Sequence, residues 1–232
     1  MKSDNLTEKT LAAMFDHTQL ATDATEEVMK KLCDEAREIG AAMVAINPYW
    51  VPFCKEQLKG TGVHVGSAIG FPLGQNTLAT KLFETRNSLE EGADEIDYMI
   101  NQSMVKAGDW ANVEKEMKEI TEISHEFHAP CKVIFENCNL TKEEIRKIAE
   151  IAKKVGIDYV KTSTGKGKGG ATVEDVKLMK DVVGDACKVK AAGGIRDWET
   201  CKAMIDAGAE RIGTSSSLKI LEEFRRSREQ QS

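Results

Sequence analysis

The sequence predicts a (β/α)8 TIM barrel with an extra N-terminal helix, in one domain that spans residues 1–232. Helical segments, glycines and short apolar segments alternate along the chain, a pattern typical of a parallel sheet with helices between its strands. Eight apolar segments of this kind can be counted, and the length of 232 residues suits a barrel of eight units. No segment rich in proline, glycine or serine divides the chain in two.

The eight strands are predicted where an apolar segment follows a helix or a glycine. The first has a short pattern and directly follows the extra helix. An open, doubly wound sheet is the alternative, but no G-x-G-x-x-G follows the first strand. The predicted strands are Ala12–Asp16, Met43–Asn47, Val63–Ile69, Ile96–Ile100, Lys132–Glu136, Tyr159–Thr162, Val189–Ala191 and Arg211–Thr214.

Helix boundaries have their own signals in the sequence. Thr141 and Glu144 have the spacing of a capping box, and apolar residues follow them at helical intervals. Asp197 precedes another apolar helical pattern and is expected to cap it. Gly40 and Gly156 each follow a helical segment, where glycine readily adopts the left-handed conformation that ends a helix.

The composition argues against several classes of protein. The formal net charge of −6 disfavours a nucleic-acid partner, although a local basic patch remains compatible with it. We find no apolar segment long enough to cross a membrane and no apolar core of a signal peptide, so a cytoplasmic location is expected.

The cysteines and histidines do not form a recognisable metal site. His125 and His128 have H-x-x-H spacing near a predicted helix end, but no third ligand is evident nearby, so a solvated helix terminus is the preferred interpretation. No two cysteines have C-x-x-C spacing, which favours reduced structural thiols. The six are Cys33, Cys54, Cys131, Cys138, Cys187 and Cys201.

Charged side chains on the predicted strands are the strongest functional signal. Lys132, Lys161 and Lys190 follow one another at intervals of 29 residues, one repeat unit each, so we expect them at similar depths. Asp16 is expected to end the first strand, and Asp97 lies on the fourth. Alone, Lys132 could reach solvent and Asp16 could cap a turn. Together, the five should converge on the barrel mouth, where barrel enzymes carry out their chemistry.

This set of residues indicates Schiff-base chemistry. A neutral amine of Lys161 can attack an aldehyde or ketone and form an iminium ion, which accepts electrons when a neighbouring carbon–carbon bond breaks. The ammonium of Lys190 would lower the pKa of Lys161 by like-charge repulsion. Asp97 would balance the cations and relay protons, while Lys132 would hold the carboxylate or polarise the reacting hydroxyl. We therefore expect neither a metal nor another cofactor.

Loops after the last three predicted strands indicate a phosphate site. Barrel enzymes often bind phosphate between the loops that follow strands seven and eight, where glycines let backbone amides approach the oxygens. Thr164, Gly165 and Lys166 follow the sixth strand and add polar groups and a positive charge. The residues after the last two strands are Gly193, Gly194, Gly213, Ser215 and Ser216.

These segments resemble the deoxyribose-phosphate aldolase family from about Asp16 to Ser217. The resemblance is carried by the segments 160–165 (VKTSTG), 189–196 (VKAAGGIR), 69–74 (IGFPLG), 93–97 (ADEID) and 213–216 (GTSS). It implies reversible cleavage of 2-deoxy-D-ribose 5-phosphate to acetaldehyde and D-glyceraldehyde 3-phosphate, in a cytoplasmic homo-oligomer that is often a dimer.

The resemblance also implies roles for individual residues. Lys161 would form the Schiff base, Lys190 would lower its pKa and Asp97 would relay protons. Phosphate would be held by Gly165, Gly193, Gly194, Ser215 and Ser216.

The chain departs from the family pattern at Ala45, Asn137 and Ala192 and has no tyrosine at its C-terminal end. These differences affect the expected rate and substrate preference more than the reaction type. Two alternatives stay open: a lysine aldolase of the same barrel acting on another phosphosugar, and a phosphosugar-binding barrel without turnover.

Overall fold

The computed structural model describes residues 3–230 and contains the predicted barrel. Eight parallel strands hydrogen-bond in sequence order, and the last pairs with the first, which closes the sheet. The strands are β1 (Phe15–Gln19), β2 (Met43–Ile46), β3 (His64–Ile69), β4 (Glu95–Met99), β5 (Cys131–Ile134), β6 (Tyr159–Lys161), β7 (Lys188–Ala192) and β8 (Arg211–Thr214).

Helices connect successive strands and surround the barrel. The predicted extra N-terminal helix is α1, which precedes β1. Short 3-10 helices lie at Ser3–Asn5, Pro48–Trp50 and Asn137–Asn139. The α-helices are α1 (Glu8–Ala12), α2 (Glu26–Ile39), α3 (Val51–Gln57), α4 (Leu78–Glu90), α5 (Gln102–Lys106), α6 (Trp110–Glu126), α7 (Lys142–Val155), α8 (Val173–Val183), α9 (Trp198–Asp206) and α10 (Ser217–Glu229).

The predicted position of the first strand is wrong by about one helical turn. Ala12 ends α1, and β1 begins only at Phe15, so Asp16 is the second residue of its strand instead of the last. The Thr7 side chain accepts a hydrogen bond from the Thr10 N–H and caps α1, which continues through Ala12, the first residue assigned to the strand. The other seven predicted strands agree with the observed ones to within two residues at each end.

The predicted helix boundaries are confirmed. The Thr141 hydroxyl accepts from the Glu144 N–H at 3.2 Å, and the Glu144 carboxylate accepts from the Thr141 N–H at 2.7 Å. Asp197 accepts from the backbone of Thr200 at 2.8 Å at the start of α9. Gly40 and Gly156 follow α2 and α7 in the left-handed conformation.

The apolar core lies between the barrel and its helices. Strand side chains that point outward, such as Val133, Val160 and Ile212, are fully buried, as are Met29 and Ile148 on the helices. Burial of this surface supplies the main stabilising free energy of a barrel. The strand side chains that alternate with these point into the barrel and include the charged residues of the site.

Other predictions concern features outside the barrel interior. Within residues 3–230 all six cysteines are free thiols, and only Cys138 is exposed. The Nε2 atom of His125 lies 2.8 Å from the Asp158 carboxylate, so this histidine is paired at its helix end. In the part of the chain that the model describes, no helix is long and apolar enough to span a bilayer.

Candidate active site

Asp97 is the centre of a buried charge cluster. The Nζ atoms of three lysines donate hydrogen bonds to its carboxylate: Lys132 to Oδ1 at 2.8 Å, Lys161 to Oδ2 at 2.7 Å and Lys190 to Oδ2 at 2.5 Å. Asp97 lies on β4 and the lysines on β5, β6 and β7. The structure thus brings together four of the charged residues that the sequence analysis singled out on neighbouring strands.

A second layer of charges supports the lysines. Asp16 Oδ2 lies 2.5 Å from Lys190 Nζ, and its Oδ1 accepts from Arg211 Nε at 2.7 Å. Glu95 lies 2.5 Å from Lys132 Nζ and accepts from Arg211 Nη2 at 2.8 Å. Sequence reasoning missed Glu95 and Arg211. The signal for Glu95 was its position two residues before Asp97, which places both side chains on the same face of β4.

The cluster lies inside the barrel, deeper than the sequence predicted. Asp16, Asp97, Lys132 and Lys190 are buried and do not line the cavity at the mouth, whereas Lys161 does. Lys161 pairs in register with Lys190, as the equal spacing suggested, but Lys132 pairs with Tyr159 and therefore lies two positions lower. The expectation that all five residues reach the mouth is thus wrong for every member except Lys161.

The pKa of Lys161 is lowered to about 8, mainly because burial disfavours the charged amine. The charge of Lys190 lowers it further, while Asp97 opposes both effects. Burial acts against the carboxylate of Asp97, yet the three lysines together hold its pKa well below the usual value. Lys132 faces both Asp97 and Glu95, which raise its pKa in spite of burial. Repulsion by Lys190, which the sequence suggested, is therefore real but secondary to burial.

The other charges of the cluster balance one another without Lys161. Asp16, Glu95 and Asp97 carry three negative charges, and the other cations, Lys132, Lys190 and Arg211, carry three positive ones. A proton on Lys161 would thus add an unbalanced charge to a buried site, which is costly. The arrangement can supply a nucleophilic amine near neutral pH.

A cavity of about 220 Å³ opens directly above Lys161. Seven of the eight residues proposed for phosphate line it, together with Gln19 and Arg196, which the sequence prediction did not include. Ser216 is not among the lining residues; its N–H donates to the Thr214 hydroxyl at 2.9 Å at the start of α10. The seven are Thr164, Gly165, Lys166, Gly193, Gly194, Gly213 and Ser215.

Close contact between two loops explains why glycine is required beside this cavity. A Cβ atom on Gly170 would lie 2.1 Å from the Gly193 carbonyl oxygen, so no side chain fits there. Gly193 itself has a φ of +87°, which side chains disfavour. The loops after β6 and β7 thus approach each other closely enough to present backbone groups to one small ligand.

Comparisons with known proteins agree with this geometry. The DeoC/LacD aldolase family model matches residues 10–223. A deoxyribose-phosphate aldolase from Lactobacillus acidophilus is 58% identical over 90% of this chain and 88% of its own length. One from Caldanaerobacter subterraneus subsp. tengcongensis is 51% identical over 93% and 94%, respectively.

A solved structure extends the likeness to three dimensions. The tetrameric deoxyribose phosphate aldolase from Aeropyrum pernix superimposes with a TM-score of 0.89 at 33% identity, over 96% of this chain and 94% of that one. The buried lysine cluster, the barrel and the family match lead to one assignment. This chain belongs to the DeoC/LacD family of aldolases.

Proposed function

We propose that the protein reversibly cleaves 2-deoxy-D-ribose 5-phosphate to D-glyceraldehyde 3-phosphate and acetaldehyde through a Schiff base on Lys161. The observation that carries this proposal is the Lys161 amine, which is buried, has a pKa of about 8 and lines the cavity. Relatives at 58% and 51% identity bear the name of this enzyme.

The chemistry begins with attack of the neutral Lys161 amine on C1 of the open-chain sugar. The resulting carbinolamine loses water to give an iminium ion. Removal of the proton from the C3 hydroxyl then breaks the C2–C3 bond. The electron pair of that bond forms the C1=C2 double bond of an enamine, and the π pair of the iminium moves to the nitrogen. C3 leaves as the aldehyde of D-glyceraldehyde 3-phosphate. Protonation of the enamine at C2 and addition of water release acetaldehyde and restore the amine.

Asp97 and its neighbouring lysines support these steps. Asp97 Oδ2 accepts hydrogen bonds from both Lys161 and Lys190, which gives protons a path between the two lysines. Lys132 contacts Asp97 and Glu95 from below and does not line the cavity, so we assign it to charge balance instead of substrate contact. We assign the same role to Asp16, which holds Lys190 and Arg211.

The phosphate group fits the upper part of the cavity. Lys166 and Arg196 bring positive charges, and the backbone around Gly193 and Gly194 brings donors that can approach closely. Lys161 lies at the lower end of the same cavity. A substrate with an aldehyde at one end and a phosphate at the other would therefore span it.

The reaction requires no metal or organic cofactor, because the iminium ion takes the role of a Lewis acid. We propose that activity is independent of added metal. Treatment with EDTA should leave the rate unchanged, and loss of activity with recovery on adding a divalent metal would contradict this.

We also propose a cytoplasmic homo-oligomer, with a dimer as the expected form. The tetrameric relative from Aeropyrum pernix supports self-association in this family, although its assembly differs from a dimer. Light scattering on the purified protein would give the mass in solution, and a monomeric mass would contradict the proposal.

The decisive functional test is release of acetaldehyde from deoxyribose 5-phosphate, followed with a coupled alcohol dehydrogenase. We expect turnover that disappears in Lys161→Ala. Turnover only with another phosphosugar, or with dihydroxyacetone phosphate as donor, would favour a different lysine aldolase. Binding of the phosphosugar without turnover would favour a non-catalytic barrel, which the intact Lys161–Asp97–Lys190 contacts argue against.

A further inference from the structure

Glu136, just beyond the end of β5, has an unusual backbone conformation. Its φ of 57° and ψ of 62° lie in the left-handed region, which residues other than glycine rarely adopt. Its side chain is also buried, with 4% of the residue exposed. Backbone strain of this kind persists where surrounding contacts hold it, often beside functional sites.

The strained residue forms a local bulge between two strands of the barrel. The Phe135 N–H donates to the Lys161 carbonyl at 2.9 Å, and the Asn137 N–H donates to the Thr162 carbonyl at 2.9 Å. The hydrogen-bonded positions thus advance by two residues after β5 but by only one residue after β6, so Glu136 is the additional residue of a bulge. A bulge redirects the side chain it carries, and here the carboxylate points beneath the loop that follows Lys161.

The side chain of Gln102 on α5 braces the bulge. Gln102 Nε2 donates to the carbonyl oxygens of Phe135 at 2.7 Å and of Glu136 at 3.1 Å. Asn139 Nδ2 in turn donates to Gln102 Oε1 at 3.0 Å, which fixes the orientation of the amide. These hydrogen bonds hold the backbone of the bulge in place.

The segment 164–167 folds around this carboxylate. Thr164 donates to it twice, through its N–H at 3.3 Å and through its hydroxyl in a short hydrogen bond. The same hydroxyl accepts from the Lys166 N–H at 3.0 Å. Gly167 lies so close that a Cβ there would be 2.9 Å from the Glu136 carboxyl carbon.

We propose that Glu136 is a positioning residue that sets the conformation of segment 164–167 and thereby the preference for a phosphorylated over an unphosphorylated sugar. This inference rests on the proposed function. Thr164 and Lys166 line the cavity, whereas Glu136 does not, so its effect passes through them. A carboxylate that lined the cavity would weaken phosphate binding by repulsion. Because the Glu136 carboxylate is buried beneath segment 164–167, we assign it the role of anchoring that segment.

Glu136→Gly separates the carboxylate from the backbone strain, because glycine adopts the left-handed conformation without cost. We would measure kcat and KM with deoxyribose 5-phosphate and with 2-deoxyribose. KM for the phosphorylated sugar should rise about tenfold or more, as expected for loss of buried hydrogen bonds to a charged group. The value of kcat/KM for 2-deoxyribose should change by less than about twofold.

Two further variants serve as controls. Glu136→Gln keeps the shape and one acceptor oxygen, so its KM should lie between those of the parent and Glu136→Gly. His128→Gly relieves the same kind of strain at the second non-glycine residue with positive φ within residues 3–230, which is exposed and lies before β5. This variant should keep the parental preference for the phosphorylated sugar.

The outcomes separate this inference from the proposed function. If the parent prefers the phosphorylated sugar and Glu136→Gly keeps that preference, the positioning role of Glu136 is excluded. A parallel loss of activity on both sugars would also overturn it, because Glu136 would then support the site as a whole. If the parent does not distinguish the two sugars, the proposed phosphate site itself is wrong.

Discussion

At the scale of single residues, the reactivity of Lys161 depends on burial and on a balance of charges. Lys161 is the one lysine of the cluster that lines the cavity. Its pKa of about 8 leaves roughly a tenth of the amine neutral at pH 7. Asp97 opposes this effect and Lys190 supports it. The residue is thus reactive mainly because burial disfavours its charged form.

The first prediction concerns the pH dependence of the reaction. Attack requires the neutral amine, so kcat/KM should rise as the pH rises through about 8 and level off above it. Lys190→Leu removes a repelling charge and leaves Asp97 less neutralised, and both changes raise the pKa of Lys161. The kcat/KM of this variant should be lower than that of the parent by about tenfold or more at pH 7, and should recover in part at alkaline pH.

The control for this prediction is a lysine on the same protein but outside the site. Lys118→Leu removes an exposed positive charge on α6 and should keep the parental pH profile. A loss in Lys190→Leu that is equal at every pH would contradict the electrostatic role and favour direct proton transfer by Lys190.

The sequence was sufficient to predict five members of the cluster and insufficient for the other two. Lys161, Lys190, Asp97, Lys132 and Asp16 stand out because each is a charge on an apolar strand. Glu95 and Arg211 lie at strand beginnings, where a charge is ordinary. Only the closed barrel shows that Arg211 on β8 joins Asp16 on β1 to Glu95 on β4.

At the scale of helices and strands, small departures from regular geometry place the functional groups. The capped helix α1 moves the start of β1 to Phe15 and puts Asp16 deep in the barrel. The bulge at Glu136 turns a carboxylate under the loop after β6. Neither could be predicted from periodicity, because a cap and a bulge each change the register without changing the apolar pattern.

A second prediction concerns a buried ion pair that joins α4, α6 and the end of β4. Lys81 and Glu116 are fully buried, and Lys81 Nζ lies 2.9 Å from the Glu116 carboxylate. Lys81 also donates to the Met99 carbonyl, and Glu116 accepts from the Asn101 N–H. Glu116→Leu leaves a buried ammonium without its counterion and should lower the free energy of unfolding by about 3–5 kcal/mol, measured by urea denaturation.

An exposed pair on the same helix provides the matched comparison. Lys118 and Glu122 lie 3.7 Å apart with most of each side chain in water, so Glu122→Leu should change the stability by less than about 1 kcal/mol. Similar losses in the two variants would show that the buried pair does not hold these elements together.

At the scale of the whole molecule, a closed parallel barrel collects side chains that are distant in the sequence. Asp16 on β1 and Lys190 on β7 are separated by most of the chain. Their side chains nevertheless lie 2.5 Å apart, because β8 pairs with both β7 and β1. The fold class could be predicted from eight repeated units, since each helix–glycine–strand unit carries a local signal. The depth of each side chain could not, because it depends on the stagger between neighbouring strands.

Trapping of the imine is the most direct test of whether Lys161 is the nucleophile. The protein is incubated with acetaldehyde, reduced with borohydride and mapped by peptide mass spectrometry. Reduction of the iminium should leave an ethyl group on the Lys161 nitrogen and abolish activity in proportion to labelling. An adduct on Lys132 or Lys190, or full activity after complete labelling of Lys161, would contradict the claim.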